Sequence, residues 1–314
     1  MKYSGIITFV LLLSLWGCGN GKVKRTDTTT SGMAELVCDA SFSDIVRQQI
    51  DVFETLYPKA SLYPGYTDEA DALRLLMADS VRMAVVARDF TEDEKLLLKA
   101  MNEQLIPRSQ KIAVDGVALI VHPQNSDTLM SMESLRGIMT GGITSWEQLG
   151  GGSRLGDINV VFDHPNSSTA RFIRDSICGG GKLYEGLRSL RSSAEVLEWV
   201  ERTPGALGVI GVGWISNPHD SLHLSFSDRV RVVSLSREHP ATEYNAFKPV
   251  PAYLHLRKYP LTRDIYVLLT DLRGTLPSGF TNFIAGERGQ RIILKAGLVP
   301  ATMPLRTVLT RDEL

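Results

Sequence analysis

Short apolar runs and segments with helical spacing alternate along this chain, and the pattern predicts alternating strands and helices. Residues 35–39, ELVCD, form a run typical of a buried strand. Residues 41–58 follow with apolar side chains three and four positions apart and a proline at the end, as in an amphipathic helix. Further strands are predicted at 60–63, 81–87, 158–162, 206–212 and 264–269, and a pair of strands within 111–123. Further helices are predicted at 67–78, 91–101, 132–139, 169–177 and 193–202, and two short ones within 277–300.

This order of elements favours an α/β fold with mixed, mostly parallel sheets. The chain has 314 residues, of which 43% are hydrophobic and 22% charged, so it has the composition of a globular protein with room for two domains. Its formal net charge of −1 argues against a general nucleic-acid binder, which needs a basic face. No apolar run after residue 18 is long enough to cross a membrane.

The N-terminus has the features of an export signal. Lys2 precedes an apolar stretch over 6–15 that is too short to span a bilayer comfortably, and residues 1–17 are predicted to be a signal peptide. The segment ending in Cys18 resembles the lipobox of bacterial lipoproteins, which implies lipidation at Cys18 and a membrane anchor, with 18–33 as a tether. The alternative is an ordinary cleaved signal peptide, and either reading predicts an exported protein.

Two cysteines remain after the signal segment. Cys38 ends a predicted strand, whereas Cys178 closes the helix that begins near Thr169, about 14 Å along its axis. If both elements start at one site, the two thiols are too far apart to bond, so we expect two buried free cysteines. The C-terminal RDEL, which looks like a retrieval signal, is taken as a coincidence beside a lipobox.

Three consecutive hydroxyl side chains, Ser167, Ser168 and Thr169, stand between a predicted strand and a predicted helix. Ser41 occupies the same kind of corner after the strand 35–39. Unpaired backbone N–H groups and the positive end of the dipole make a helix N-terminus a ready anion site. The alternative is that these residues are only N-caps, although capping needs one hydroxyl and the second corner has three.

Arg171 strengthens the anion interpretation. A cation in the first turn opposes the helix dipole, at a cost of a few tenths to about 1 kcal/mol, so a negative group should offset it. That group is either a bound anion or Asp175, four residues further along the helix.

Two groups of residues suggest other chemistries, a metal site and a hydrolase triad. His219 and His223 have a spacing that can bind a metal ion, but the polar surroundings favour a solvated turn and no metal site. Asp163, His164 and Ser167 suggest a hydrolase triad, but no G-x-S-x-G elbow is present and triad members normally come from separate elements. We therefore predict no catalytic residues and no cofactor.

Five segments, in this order and spacing, resemble the phosphate-binding subunits of bacterial ABC uptake transporters. The similarity covers most of residues 34–304. It is carried by CDASF, GIMTGGITSWEQLG, the SST corner, TPGALGVIGVGW and FIAGERGQRIILKAGLVPA. The resemblance implies a type II periplasmic-binding-protein fold, in which two α/β lobes joined by two crossing strands hold an anion on helix N-termini. The implied lobes are 34–112 with 245–314, and 113–244.

The resemblance also implies the ligand contacts. The first lobe would contribute Ala40, Ser41 and Phe42, with Thr67 as the nearest match to a further donor. The second lobe would contribute Ser167, Ser168 and Thr169, with positive charge from Arg88 and from Arg171 as a further cation.

The charges depart from the family pattern, which places an acid after the third strand and an arginine before the hydroxyl corner. Here the first position reads Ala87-Arg88-Asp89 and the second Phe162-Asp163-His164, so acid and base have exchanged lobes. Arg88 would then be the cation, and Asp163 the proton acceptor that distinguishes phosphate from sulfate, with Asp89 in reserve. The alternative is an interlobe salt bridge between Arg88 and Asp163.

The resemblance thus predicts a monomeric, exported solute-binding lipoprotein that captures an inorganic oxyanion, most simply phosphate, for an ABC permease in the membrane. Two alternatives stay open. The same fold could bind sulfate, molybdate or a phosphorylated small molecule, or act as a sensor. A serine-dependent phosphatase or esterase around Ser167 is the less favoured reading.

Overall fold

The computed structural model describes residues 26–103, 106–217, 219–220, 225–271 and 273–304. The predicted signal peptide, the lipidation site Cys18, His223 and the RDEL tail fall outside the described residues. In the described part, no helix combines the length and apolar character needed to cross a membrane.

The elements follow the predicted alternation closely. The strands are β1 Gly32–Asp39, β2 Ala60–Thr67, β3 Met83–Val86, β4 Arg108–Val121, β5 Leu129–Ser131, β6 Asn159–Phe162, β7 Arg188–Ser189, β8 Ala206–Gly211, β9 Arg231–Val232, β10 Ser234–Ser236, β11 Ala246–Phe247, β12 Thr262–Leu269 and β13 Val299–Pro300. The helices are α1 Ser43–Leu56, α2 Glu69–Met77, α3 Glu92–Met101, α4 Met132–Met139, α5 Ser168–Cys178, α6 Ser193–Arg202, α7 Pro251–His255, α8 Leu276–Ala285 and α9 Glu287–Lys295.

One mixed sheet runs through the molecule in the order β2-β1-β3-β12-β4-β8-β6-β7, and β9 and β13 also pair with β4. Strands β1, β2 and β3 are parallel to one another, as are β6, β7 and β8. Strand β12 is antiparallel to both of its neighbours, and β4 is antiparallel to β8. A small separate sheet has the order β11-β10-β5. The predicted α/β class with mixed sheets is confirmed.

The prediction of a pair of strands within 111–123 is wrong, because residues 108–121 form the single long strand β4. Its first part pairs with β12 and its second part with β8, so it connects two groups of elements. We call β1–β3 and β12 with α1–α3, α8 and α9 the first half, and β6–β9 with α4–α6 the second half. Fourteen residues without a break are possible here because the strand is buried on both faces from Ile112 onward.

Most of the core lies between the sheet and the flanking helices. Most apolar residues of β1, β4, β6, β8 and β12 are almost completely buried, and Trp146 and Tyr259 are the largest described side chains fully removed from solvent. The indole Nε1 of Trp146 donates a hydrogen bond to the Gly205 carbonyl at 3.0 Å. Its polar atom is therefore satisfied inside the core.

The chain is already packed before the first strand begins. Asp27 pairs with Arg82 at 3.0 Å and accepts a hydrogen bond from the Leu276 amide at 2.9 Å. A tether over the whole of 18–33 is therefore too long. From Asp27 onward the segment belongs to the folded body.

Both remaining cysteines are free thiols, as expected. Cys38 is buried, and burial raises the pKa of its thiol well above the usual value. Cys178 is only partly buried, which differs from the prediction that both would be fully enclosed.

Candidate functional site

The site lies where β1 and β6 end and the helices after them begin. The turns that follow Asp39 and Phe162 face each other from the two halves, because the Ser41 hydroxyl after β1 reaches the Asp163 carboxylate after β6 at 3.0 Å. After β1, residues Ala40–Phe42 form a 3₁₀ turn that leads into α1. After β6, the turn leads into α5, which begins at Ser168.

Local sequence explains the start of α5. Ser167 is the N-cap, and its side chain accepts a hydrogen bond from the Ala170 amide at 3.2 Å. Gly179 ends the helix in the left-handed conformation, with φ of 57°. One serine therefore does the capping, and the hydroxyls of Ser168 and Thr169 remain available for other partners.

Four hydroxyls from both corners and from the start of α6 converge on the carboxylate of Asp163. It accepts hydrogen bonds from Ser41 at 3.0 Å, Ser167 at 2.5 Å, Ser193 at 3.2 Å and Thr169 at 3.5 Å. Ser41 belongs to the first half and the other three to the second. Asp163 therefore joins the two halves through side chains that are all buried.

Asp39 makes a second bridge between the halves through backbone amides. Its Oδ1 accepts from the Ser41 amide at 2.9 Å, and its Oδ2 accepts from the Ser168 amide at 3.0 Å. Ser168 is the first residue of α5, so the carboxylate occupies the anion-attracting end of that helix. The negative group bound at the start of α5 is thus the Asp39 carboxylate of the protein itself.

Arg263 supplies the positive charge beside these acids. It extends from β12, and its Nη1 donates to Ser168 Oγ at 2.9 Å and to Thr169 Oγ1 at 3.2 Å. Its Nε and Nη2 lie 2.8 Å from an oxygen of Asp115, and the guanidinium sits 4.8 Å from the centre of the Phe42 ring. Only 3% of Arg263 is exposed, so this is a buried ion pair with a cation–π contact.

Burial dominates the electrostatics of two of these acids. Removal from water raises the pKa of Asp39, against the opposing effects of its hydrogen bond to Ser168, the charge of Arg263 and the Ser41 amide. Burial likewise raises the pKa of Asp115, with the Arg263 charge acting in the opposite direction. Both acids are therefore easier to protonate than free aspartate.

A cavity of about 220 Å³ opens beside the carboxylates. Four predicted contact residues, Ala40, Thr67, Asp163 and Ser167, line it. The other lining residues are Asp39, Tyr66, Asp68, His164, Arg191, Ser192 and Ser193. The structure thus brings the two predicted corners together around one space.

Phe42 stands on the other side of the Ser41 turn, with its ring against Arg263. It lines a different cavity of about 280 Å³ together with Asp115 and Trp214, and the Trp214 indole donates to the Ser41 carbonyl at 2.8 Å. The predicted first-half contacts therefore divide between two cavities on either side of Ser41.

The two predicted cations are engaged elsewhere. Arg88 binds Glu94 through both terminal nitrogens, at 2.8 and 2.6 Å, within the capped start of α3. Glu94 raises the pKa of Arg88, and Arg88 in turn lowers the pKa of Glu94. Asp163 accepts from hydroxyls, so the alternative of an Arg88–Asp163 salt bridge is wrong. Arg263 takes the place beside the hydroxyl corner that the sequence assigned to Arg88.

Arg171 has the negative partner that its position requires, but that partner is Glu69 of the first half. The two side chains form a close ion pair, and Arg171 also reaches the Ala87 carbonyl at 3.3 Å. The candidate partner Asp175 is more distant, at 3.4 Å. Glu69 is only 2% exposed, so this pair is a further buried connection between the halves.

Sequence reasoning missed Asp39, Ser193 and Arg263. Asp39 carried a signal, since an acid that ends a buried strand directly before a helix is positioned at the sheet edge. Ser193 also carried one, because the pair Ser192–Ser193 at the start of α6 repeats the hydroxyl pattern of α5. Arg263 carried none, because only the antiparallel pairing of β12 with β4 brings it to the site.

The hydrolase alternative finds no support in the geometry of the described residues. The Ser167 hydroxyl donates to Asp163, and the His164 Nδ1 lies 3.6 Å from Asp68 and accepts from the Asn166 amide at 3.3 Å. A triad would need the imidazole on the serine. Among the described residues, no group of three or more histidines, cysteines or acids could hold a metal ion.

Comparison with curated proteins finds relatives named phosphate-binding protein PstS. The protein from Bacillus subtilis is 26% identical, with 96% of this chain and 96% of that protein covered. The protein from Borreliella burgdorferi is 23% identical, with 69% and 72% covered.

Two solved structures share this fold. A phosphate ABC transporter substrate-binding protein from Clostridium perfringens, solved with bound phosphate, has a TM-score of 0.71 and 21% identity over 86% of this chain and 100% of that one. An ABC-type phosphate transport receptor from Vibrio cholerae has a TM-score of 0.64 and 20% identity, with 86% and 100% covered. The likeness confirms the expected type II periplasmic-binding-protein fold.

A family model described as the PBP superfamily domain matches residues 23–288, which is most of the chain. That segment contains β1–β12, both hydroxyl corners and the acids between them. The chain belongs to the PBP superfamily.

Proposed function

We propose that this protein is an exported solute-binding protein that captures phosphate between its two halves for an ABC permease. The proposal rests on the fold, on relatives that are named for phosphate binding, and on one observation at the site. Amide and hydroxyl donors from both halves converge on Asp39 and Asp163, two carboxylates that line one cavity at the start of α5. Such donors recognise a tetrahedral oxyanion without needing any chemical step.

In the proposed complex, phosphate lies between the 3₁₀ turn after β1 and the first turn of α5. The first half contributes the turn Ala40–Phe42 and Thr67, and the second half contributes Ser167, Ser168 and Thr169. Arg263 provides the cation through the two hydroxyls to which it is already bonded. Binding would be completed by closure of the halves around the ion.

The remaining parts of the proposal come from the sequence. Cys18 would be lipidated and hold the protein at a membrane, and the protein would act as a monomer without catalysing a reaction. The orientation of Ser167 toward Asp163 favours a binding role over a hydrolytic one, because the hydroxyl is held by a carboxylate and the His164 imidazole is not aligned on it.

The test is isothermal titration calorimetry with inorganic phosphate and with sulfate, on the wild type and two serine variants. Ser167→Ala removes a cap hydroxyl inside the cavity. Ser131→Ala is the matched control, because Ser131 caps α4 in the same way and does not line that cavity. Each variant should lose about 1 kcal/mol of stability from the lost cap.

The expected result is phosphate binding that weakens about tenfold or more in Ser167→Ala and changes less than about twofold in Ser131→Ala. Equal losses in the two variants would show that only helix stability matters. Tighter binding of sulfate than of phosphate would move the assignment to another oxyanion, and no binding of either ion would refute it. Hydrolysis of a chromogenic ester, lost in Ser167→Ala, would favour the enzyme alternative.

A further inference from the structure

The donors that should receive an oxyanion are already occupied by acids of the protein itself. Asp39 holds the amides of Ser41 and Ser168, and Asp163 holds four hydroxyls. Both carboxylates are buried and both connect the two halves. Their four oxygens face much of the donor set that a tetrahedral ion would use.

The surroundings do not balance this negative charge. Three carboxylates line the cavity, those of Asp39, Asp68 and Asp163. The cationic side chains nearby are Arg263 from β12 and Arg191 before α6. Arg263 is already paired with Asp115 and Arg191 is 91% exposed, so neither is fully available to an added anion.

Beyond the cavity, the closest charged pair between the halves is Glu69 with Arg171, which is neutral as a pair. A dianion placed among ionised Asp39 and Asp163 would meet like charges at short range in a site removed from water. Each such contact is repulsive by Coulomb's law, and the repulsion is stronger where water is excluded. A hydrogen phosphate ion can share its own proton with one carboxylate, but the remaining repulsion is removed if the acids take up protons or leave the site.

We propose that the carboxylates of Asp39 and Asp163 act as an internal substitute for the oxyanion, and that phosphate replaces them only with uptake of protons. This inference rests on the proposed function and specifies its regulation. A protonated carboxyl can donate a hydrogen bond to a phosphate oxygen, whereas an ionised one repels it. Phosphate therefore binds more tightly as the pH falls.

The raised pKa of Asp39 supports this mechanism. Its burial already disfavours the ionised form, and the arrival of an anion would raise the pKa further. Protonation frees the Ser41 and Ser168 amides for the incoming ion at the same step. The Asp39 carboxylate would thus lose its amide donors to phosphate in the same step in which it takes up a proton.

The experiment measures phosphate binding by calorimetry between about pH 5.5 and pH 8.5, in buffers of different ionisation enthalpy that report the number of protons taken up. Asp39→Asn and Asp163→Asn each remove one internal charge. Asp68→Asn is the control, because Asp68 lines the same cavity but caps α2, and asparagine caps a helix equally well. Comparing variant with wild type at one pH cancels the protons that phosphate itself binds.

For the wild type we expect proton uptake and affinity that rises about tenfold or more from the alkaline to the acidic end. Asp39→Asn should bind phosphate about tenfold more tightly at the alkaline end and take up about one proton fewer. Asp163→Asn should act in the same direction, which keeps the test open if one variant folds poorly. Asp68→Asn should change affinity by less than about threefold, because it blocks no donor.

Phosphate binding in which Asp39→Asn and Asp163→Asn take up as many protons as the wild type would overturn the inference and leave the proposed function standing. An equal gain of affinity in Asp68→Asn would also overturn it, since general repulsion would then suffice. Binding by the two variants alone would show that the internal acids block the site at every pH, and it would overturn both the proton-linked exchange and the proposed function of the wild type. No phosphate binding by any of these proteins at any pH would overturn the proposed function and the inference with it.

Discussion

Removing Arg263 tests whether the buried charges of the site depend on one another. Arg263→Met keeps a long apolar side chain on β12 but deletes the guanidinium that pairs with Asp115 at 2.8 Å. Both side chains are at most 2% exposed, so water cannot replace the lost partner. Asp115 would be left as an unpaired buried charge.

The expected magnitude follows from that burial. Breaking a buried ion pair by deleting one partner costs about 3 to 5 kcal/mol, whereas an exposed pair contributes at most about 1 kcal/mol. Arg257→Met provides the matched comparison, because Arg257 pairs with Asp264 at 2.9 Å while remaining about half exposed. The second variant should therefore lose at most about 1 kcal/mol.

The pH dependence identifies the cause of the loss. Burial raises the pKa of Asp115 in the wild type, and without Arg263 it would rise further above the unfolded value. An acid with a raised pKa in the folded state contributes stability that is complete below the unfolded pKa and is lost as pH rises through the folded pKa. The deficit of Arg263→Met should therefore be larger near pH 8 than near pH 5.

The assay is urea unfolding at several pH values, with the double variant Arg263→Met and Asp115→Asn included. The double variant should be more stable than Arg263→Met alone, because it no longer buries an unpaired charge. A loss that is the same at all pH values and is not relieved in the double variant would refute the electrostatic reasoning. It would instead assign the effect to packing against Phe42.

Two further predictions concern the connection between the halves and the free thiols. Glu69→Gln leaves Arg171 without its buried charge partner, so the free energy of unfolding measured in urea should fall by about 1 to 3 kcal/mol; an unchanged midpoint would contradict the importance of this pair. In protein carrying Cys18→Ser, a thiol reagent should modify the partly buried Cys178 first and Cys38 only on unfolding, because burial raises the pKa of the Cys38 thiol. Rapid modification of Cys38 in the folded state would contradict its enclosure.

The elements that sequence could predict are those whose boundaries are set locally. Helices α4 and α6 begin and end where the pattern placed them, because Ser131 and Ser192 cap them and helical spacing stops at their ends. Strand β4 was divided in two because its pairing changes from β12 to β8 in the middle, and no local signal reports which strand is a neighbour. Strand pairing over such sequence distances is a property of the whole fold.

The same distinction explains the site. Both hydroxyl corners could be predicted, since each lies at the end of a strand and directly before a helix, and both features are visible in the local sequence. The partner of each charge could not, because an arginine pairs with whatever carboxylate the tertiary structure brings near it. Arg88 pairs with Glu94, which is six positions away in the sequence. Arg263 bonds to Ser168 and Thr169, which are 95 and 94 positions away.

The fold and the charge of this site carry different information about function. Superfamily membership and the converging donors explain why an oxyanion would be held between the halves. The two internal carboxylates set a condition on when it is held, because the same donors cannot serve both anions at once. A protein with this cleft would therefore respond to the protonation state of its surroundings as well as to the solute concentration. If phosphate bound equally well at acidic and alkaline pH, the carboxylates would have to swing out of the site without protonation, and the opened cleft would then expose Asp39 to solvent.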